Sequence, residues 1–269
     1  MRNWQQQVMG TVVSFSLRED SSTTTEPGEM QARRERIDQG VERAQARLQW
    51  VDDVFSTWKQ DSPVSRLRRG EIGLDETPPE VADVLELCRR AREASEGWFD
   101  PWAMPGGVDP TGLVKGWAVE RALDELKMAG APAAMINAGG DIAVFGEPAP
   151  GQPWRVGIEN PLAMDRLLLT ADLEGAGAVA TSGSYQRGMH LVDPHNGRPT
   201  AELLLATVIG HDLAYADALA TGLYTSGGKM LERLALLAGY HGFVMDGRGN
   251  IHASRGFPIV LRGVEAVSA

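Results

Sequence analysis

Cysteine is nearly absent from this chain. Cys88 is the only one in 269 residues, so no intrachain disulfide framework exists. No apolar run approaches the roughly 20 residues that a membrane span requires. The opening stretch Met1-Arg2-Asn3-Trp4-Gln5-Gln6-Gln7 lacks the apolar segment of a secretory signal. The expectation is a soluble, cytoplasmic protein with no membrane span. Positive charge is also in deficit: 26 Lys and Arg face 36 Asp and Glu, a formal net charge of -10. Such a surface repels phosphate backbones, which argues against general nucleic-acid binding. An anionic ligand would need a local cation or metal. Three motifs are missing as well: G-x-x-x-x-G-K-[ST], H-E-x-x-H and paired C-x-x-C.

What is present is an ordinary folded composition, 43% hydrophobic and 23% charged. Val8 to Leu17 alternates and reads as a strand. Asp20 to Gly28 is a polar breaker run, and a mobile loop is expected over 20–29. Ile37, Val41, Ala44, Leu48, Val51 and Phe55 then form one helical stripe. Thr77-Pro78-Pro79-Glu80 predicts a capped helix start, with Val81, Val84, Leu85, Cys88 and Ala91 on its buried face. Cys88 is thereby a small core residue. A helix is expected from about Leu113 to Met128, with Gly130 at its end. Strands are expected at 134–137, 142–145, 154–158, 167–173, 176–181 and 203–209. Helices follow at 215–224 and 229–238, then a hairpin around Asp246-Gly247-Arg248-Gly249-Asn250. Strands and helices mix without a βαβ period. That predicts an α+β fold, one two-lobed domain over 1–269 with a mixed, mainly antiparallel sheet and flanking helices. Gly175 to Ala180 fits a loose G-x-G-x-x-A, but no amphipathic helix follows, so it is read as a turn into a buried strand.

Four constellations carry candidate chemistry. Asp217 and Thr221 lie four apart on a helix, so a carboxylate and a hydroxyl share one face. Both are hard oxygen donors suited to Mg²⁺, although two oxygens need completion by waters, a carbonyl or ligand phosphates. A solvated or mutually bonded pair has the same spacing. Asp109, Thr111, Gly112 and Lys115 sit at a helix start. A Lys in a first turn opposes the helix dipole, which makes more sense if an anion docks there; a cap with a solvated Lys is the alternative. Asn137-Ala138-Gly139-Gly140-Asp141 is a hairpin turn or a close approach to ligand. Ala180-Thr181-Ser182-Gly183-Ser184-Tyr185, then His190-Leu191-Val192-Asp193-Pro194, gathers hydroxyls, a His and an Asp. His190 there suits a general base, or an ordinary surface turn.

In order, these elements resemble the FAD:protein FMN transferase (ApbE) family. The likeness runs through Met9-Gly10-Thr11, Phe55-Ser56-Thr57-Trp58, Asp61-Ser62-Pro63-Val64-Ser65-Arg66-Leu67 and Phe99-Asp100-Pro101. It continues with Asp109, Gly112, Lys115-Gly116 and Asn137 to Asp141. Ala180-Thr181-Ser182-Gly183, His190 to Pro194 with Gly197, and Ala216 to Thr221 complete it. The resemblance implies FAD as substrate, Mg²⁺ as cofactor, and transfer of FMN to a Thr or Ser hydroxyl of an acceptor flavoprotein through a phosphoester bond, with release of AMP. It implies that Asp217, Thr221 and the Gly112 carbonyl hold the metal and that Asp109 and Lys115 contact FAD. Met9, Trp58 and the stretch Ser182, Gly183, Ser184, Tyr185 would line the flavin cleft, with Gly139, Gly140 and Asp141 close to the ligand. His190 is the candidate base, with Asp193 orienting it or its loop; Asp217 is the alternative proton acceptor. Many members of the family carry an export signal and a lipid-anchored cysteine, for which this chain shows no pattern. The stretch between Tyr185 and His190 is short for the family. Two other activities share such a site: FAD pyrophosphatase and non-catalytic FAD binding.

Overall fold

The computed structural model describes residues 1–19, 27–183, 191–200 and 202–257. Its frame is an eight-stranded sheet in the order β1-β2-β3-β4-β7-β10-β11-β12. These strands are β1 (Arg2–Val8), β2 (Thr11–Leu17), β3 (Ala134–Ala138), β4 (Asp141–Phe145), β7 (Ala176–Gly183), β10 (Leu203–Gly210), β11 (His241–Asp246) and β12 (Ile251–Ala253). Every neighbouring pair is antiparallel. Two hairpins stand outside the sheet: β5 (Trp154–Asn160) with β6 (Ala163–Leu173), and β8 (Val192–Asp193) with β9 (Arg198–Pro199).

The helices enter as two insertions between neighbouring strands. Between β2 and β3 come α1 (Pro27–Phe55), α2 (Pro63–Arg68), α3 (Pro79–Ala94) and α4 (Thr111–Met128). Between β10 and β11 come α5 (Leu213–Thr225) and α6 (Leu231–Leu234). The main core joins these helices to one face of the sheet, with Phe15, Leu48, Phe55, Leu113, Leu126 and Leu219 fully buried. The other face is covered by the β5–β6 ribbon, whose Val156, Ile158, Leu169 and Leu173 pack on Ile142, Val179, Leu205 and Phe243.

The helical stripe from Ile37 to Phe55 is buried as its spacing requires. Cys88 is buried too, and desolvation pushes its thiol up, which leaves it inert as a nucleophile. Several boundaries differ from expectation for local reasons. Val8 to Leu17 is not one strand: Met9 and Gly10 both take positive φ (53° and 70°), which folds the chain into a hairpin. Its first strand, Arg2–Val8, is polar because it is a half-exposed sheet edge. Of the loop expected over 20–29, residues 20–26 lie outside the described residues and 27–29 already belong to α1. Thr77 does not cap α3. Its hydroxyl donates to the Leu74 carbonyl, and α3 starts without a side-chain cap. Only Leu231–Leu234 of the expected helix 229–238 is α-helical.

Candidate active site

A cleft of about 870 Å³ opens where the two helical insertions meet the sheet. Of the residues to which the resemblance assigns a site role, ten line it: Met9, Trp58, Asp109, Gly112, Lys115, Gly139, Ser182, Gly183, Asp217 and Thr221.

The floor is the crossing of α4 and α5, and glycine permits it. A Cβ on Gly116 would stand 2.4 Å from the Leu213 carbonyl oxygen and 2.8 Å from the Ala214 Cα, so the two backbones touch there. One turn earlier, a Cβ on Gly112 would lie 3.4 Å from Thr221 Oγ1. This crossing brings the Gly112 backbone to the helical face that carries Asp217 and Thr221. The buried Asp217 carboxylate accepts the Gly116 N–H at 3.2 Å. In an ideal helix that N–H serves the Gly112 carbonyl, so sharing it leaves that carbonyl acceptor capacity. Ser182 Oγ on β7 lies 3.4 Å from Thr221 Oγ1.

Lys115 sits between two carboxylates. It ion-pairs with Asp141 and lies 3.7 Å from Asp217 Oδ1. Asp141 does not line the cleft. It is fully buried beneath it, and it also accepts the Thr181 N–H at 3.0 Å. An isolated buried carboxylate is costly, so this pairing explains both why the Asp is tolerated and why Lys115 is held in place. Gly140 also stays off the cleft. With Gly139 it forms the positive-φ turn between β3 and β4, its N–H held by Asn137 Oδ1 at 2.8 Å.

Asp109 binds through its own neighbours. It accepts the Thr111 N–H at 3.0 Å and the Arg68 guanidinium at 2.8 Å. Arg68 also donates to the carbonyls of Pro105 and Gly106, so it ties the 104–107 turn to the cleft wall. Asp193 lies outside the cleft. Its carboxylate accepts from His195 N and Asn196 Nδ2, which closes the β8–β9 turn. Leu191 and Val192 of that hairpin do line the cleft. Ser184, Tyr185 and His190 lie outside the described residues.

Sequence reasoning missed Arg68 and Lys59. Lys59 lines the cleft and pairs with Asp52 and Asp53. Each cation directly follows a quoted motif, and no spacing rule marks it.

The donor set at the crossing is a carboxylate, two hydroxyls and a carbonyl with spare capacity. These hard oxygens fit a Mg²⁺ ion that also keeps waters and ligand phosphates. Among the described residues there is no cluster of three or more His, Cys, Asp or Glu side chains fit to hold a metal. An ion here would therefore depend on the hydroxyl, carbonyl and ligand oxygens.

An antiparallel sheet with helices on one face, and a cleft over the helix crossing, defines an α+β protein. A family model described as the ApbE family matches residues 9–107 and 102–241, most of the chain, and the chain belongs to the ApbE family. A FAD:protein FMN transferase of Vibrio cholerae is 36% identical over 129 residues, 45% of this chain and 39% of that protein. One from Rhodobacter capsulatus is 30% identical over 167 residues, 59% of this chain and 32% of that protein. The matched segments thus span well under half of these curated relatives. Among solved structures, the ApbE protein of Thermotoga maritima superposes with a TM-score of 0.77 at 21% identity, covering 97% of this chain and 99% of that one. The flavin transferase ApbE of Vibrio cholerae gives 0.72 at 22% identity, over 95% and 97%. These likenesses establish the shared fold. No helix among the described residues is long and apolar enough to cross a membrane.

Proposed function

We propose that the protein is a Mg²⁺-dependent FAD:protein FMN transferase. The reading rests on one observation: α4 and α5 cross in backbone contact, so Gly112, Lys115, Asp217 and Thr221 face a single cleft. The names of its relatives support the same activity.

In this reading, Gly112, Asp217 and Thr221 hold the ion, with Ser182 beside them. Bound Mg²⁺ would supply charge neutralisation on the diphosphate of FAD. Lys115 adds a fixed cation on the same floor, kept in position by Asp141. Leu191 and Val192, with Met9 and Phe99, contribute apolar wall to the cleft. A hydroxyl oxygen of the acceptor Thr or Ser forms the new bond to the FMN phosphorus. The bridging P–O bond breaks and AMP leaves with the electron pair. The hydroxyl proton goes to a base, which we assign to His190. That residue directly precedes Leu191, a residue of the cleft wall. Positioning and electrostatic stabilisation carry most of such a displacement.

The test is incubation with FAD and Mg²⁺, with and without an acceptor peptide containing Thr. Acceptor-dependent AMP release, with flavin fluorescence on the peptide in a denaturing gel, is expected. Equal AMP release without acceptor would identify a pyrophosphatase instead. Asp217→Ala should lower AMP formation by about 100-fold or more, the scale for losing a preorganised electrostatic group. Undiminished turnover in that variant contradicts the assignment.

A further inference from the structure

Glu120 does not line the cleft, and the chemistry above does not use it. It lies on α4 at the same helical spacing as Gly112 and Gly116, so it shares the face that meets α5. Its Oε1 accepts the backbone N–H of Leu213, the first residue of α5, at 2.6 Å. Asp212 accepts the Tyr215 N–H at 2.7 Å. Two carboxylates thus serve the N–H groups of Leu213 and Tyr215 in the first turn of α5, and one of them belongs to the other helix. Helix-start N–H groups lack intrahelical partners, and an ionised acceptor there makes a strong hydrogen bond.

We infer that Glu120 is a positioning residue, which pins the start of α5 to α4 and so fixes Asp217 and Thr221 relative to the Gly112 backbone. This rests on the reading of those three as the metal-holding group. Gly116 supports it independently, because its contact with Leu213 leaves no slack at the same junction. Glass-like rigidity is not required; only the spacing across the crossing matters.

The surroundings also make the pin sensitive to pH. Desolvation, then repulsion from Asp212, pushes the Glu120 carboxyl up to about 7, while the Leu213 and Ala214 N–H groups and Arg121 act in the opposite direction. Tyr240 also faces this group, with His211 and Tyr215 packed on its ring. Glu120 therefore gains its charge near neutrality; the ionised form makes the stronger hydrogen bond to the Leu213 N–H, although burying that charge costs the fold stability overall. Metal affinity at the crossing should rise between pH 6 and pH 8.

The experiment titrates Mn²⁺ alone into the full chain, using wild type, Glu120→Ala, Glu120→Gln and Asp217→Ala at pH 6, 7 and 8. Glu120→Ala should weaken Mn²⁺ binding by about 10-fold, as loss of a residue that orients metal ligands does. Glu120→Gln keeps an acceptor oxygen, so it should lose less affinity but also lose the rise with pH. Wild-type affinity and pH dependence in both variants would overturn the inference. If Glu120→Ala does not fold, Glu120→Gln decides, and a wild-type pH profile there overturns it. Wild-type Mn²⁺ affinity in Asp217→Ala would overturn the metal reading and this inference with it. Loss there without change at Glu120 overturns this inference alone.

Discussion

The floor of the cleft and its mouth are built in opposite ways. On the floor, Asp141 and Asp217 are buried and Lys115 is set between them, over a helix crossing in backbone contact. At the mouth, Trp58 is 94% exposed. Met9, which also lines the cleft, holds a left-handed conformation, a geometry that a residue with a side chain adopts at some cost. The floor is fixed by contacts that tolerate little change. The mouth presents the exposed apolar surface of Trp58. Under the proposed function, a rigid floor suits a diphosphate, whose shape is the same in every substrate molecule, and an exposed Trp58 suits contact with a variable acceptor surface.

Changes to the floor should therefore be costly and changes to the mouth cheap. Lys115→Ala leaves the Asp141 carboxylate buried without its cation, and loss of one partner of a buried pair costs about 3–5 kcal/mol. Thermal unfolding should show a large drop in Tm, and adding Asp141→Asn to the same chain should recover much of it. FAD binding should weaken too, most at low salt, where Coulombic contacts are least screened. Unchanged Tm and affinity would separate Lys115 from the floor.

Glu120 gives the next largest effect, through pH. Its folded pKa of about 7 lies above the ordinary 4.5. Between those values the unfolded chain has released a proton that the folded chain still holds, so stability falls as pH rises and levels off above pH 7. The upper limit of this fall is about 3 kcal/mol. Glu120→Gln should flatten it in denaturant titrations from pH 5 to pH 8, and an unaltered slope would contradict the assignment. Gly116→Ala forces a methyl group against the Leu213 carbonyl and should cost about 1–3 kcal/mol by denaturant unfolding. Trp58→Ala should change stability by less than about 0.5 kcal/mol. Its effect should appear in flavin or acceptor affinity instead; a large loss of stability would show that the mouth is not loosely held.

The contrast also explains what could be read from the sequence. Helical faces with a strong apolar period were legible, as from Ile37 to Phe55, because burial imposes that period directly. The pairing of Asp217 with Thr221 was legible because it is local to one helix. The edge strand Arg2–Val8 was not, since an edge exposed on one side needs no apolar alternation. Nor was the role of Asp141, whose partner Lys115 lies far away in the chain and meets it only after α4 folds back on the sheet. The crossing itself was hidden in Gly112 and Gly116. Two glycines four apart mark close approach only when a second helix is known to lie there. Arg68 and Glu120 are similarly tertiary: each binds backbone groups remote in sequence, a demand that no local pattern records.

The most direct measurement is a crystal of the full chain grown with FAD and Mn²⁺, read by anomalous scattering from the metal. A peak at the α4–α5 crossing, bounded by the Gly112 carbonyl, Asp217 and Thr221 and touching the diphosphate, is the predicted result. A peak elsewhere in the cleft, or FAD bound with its diphosphate away from Lys115, would contradict the account.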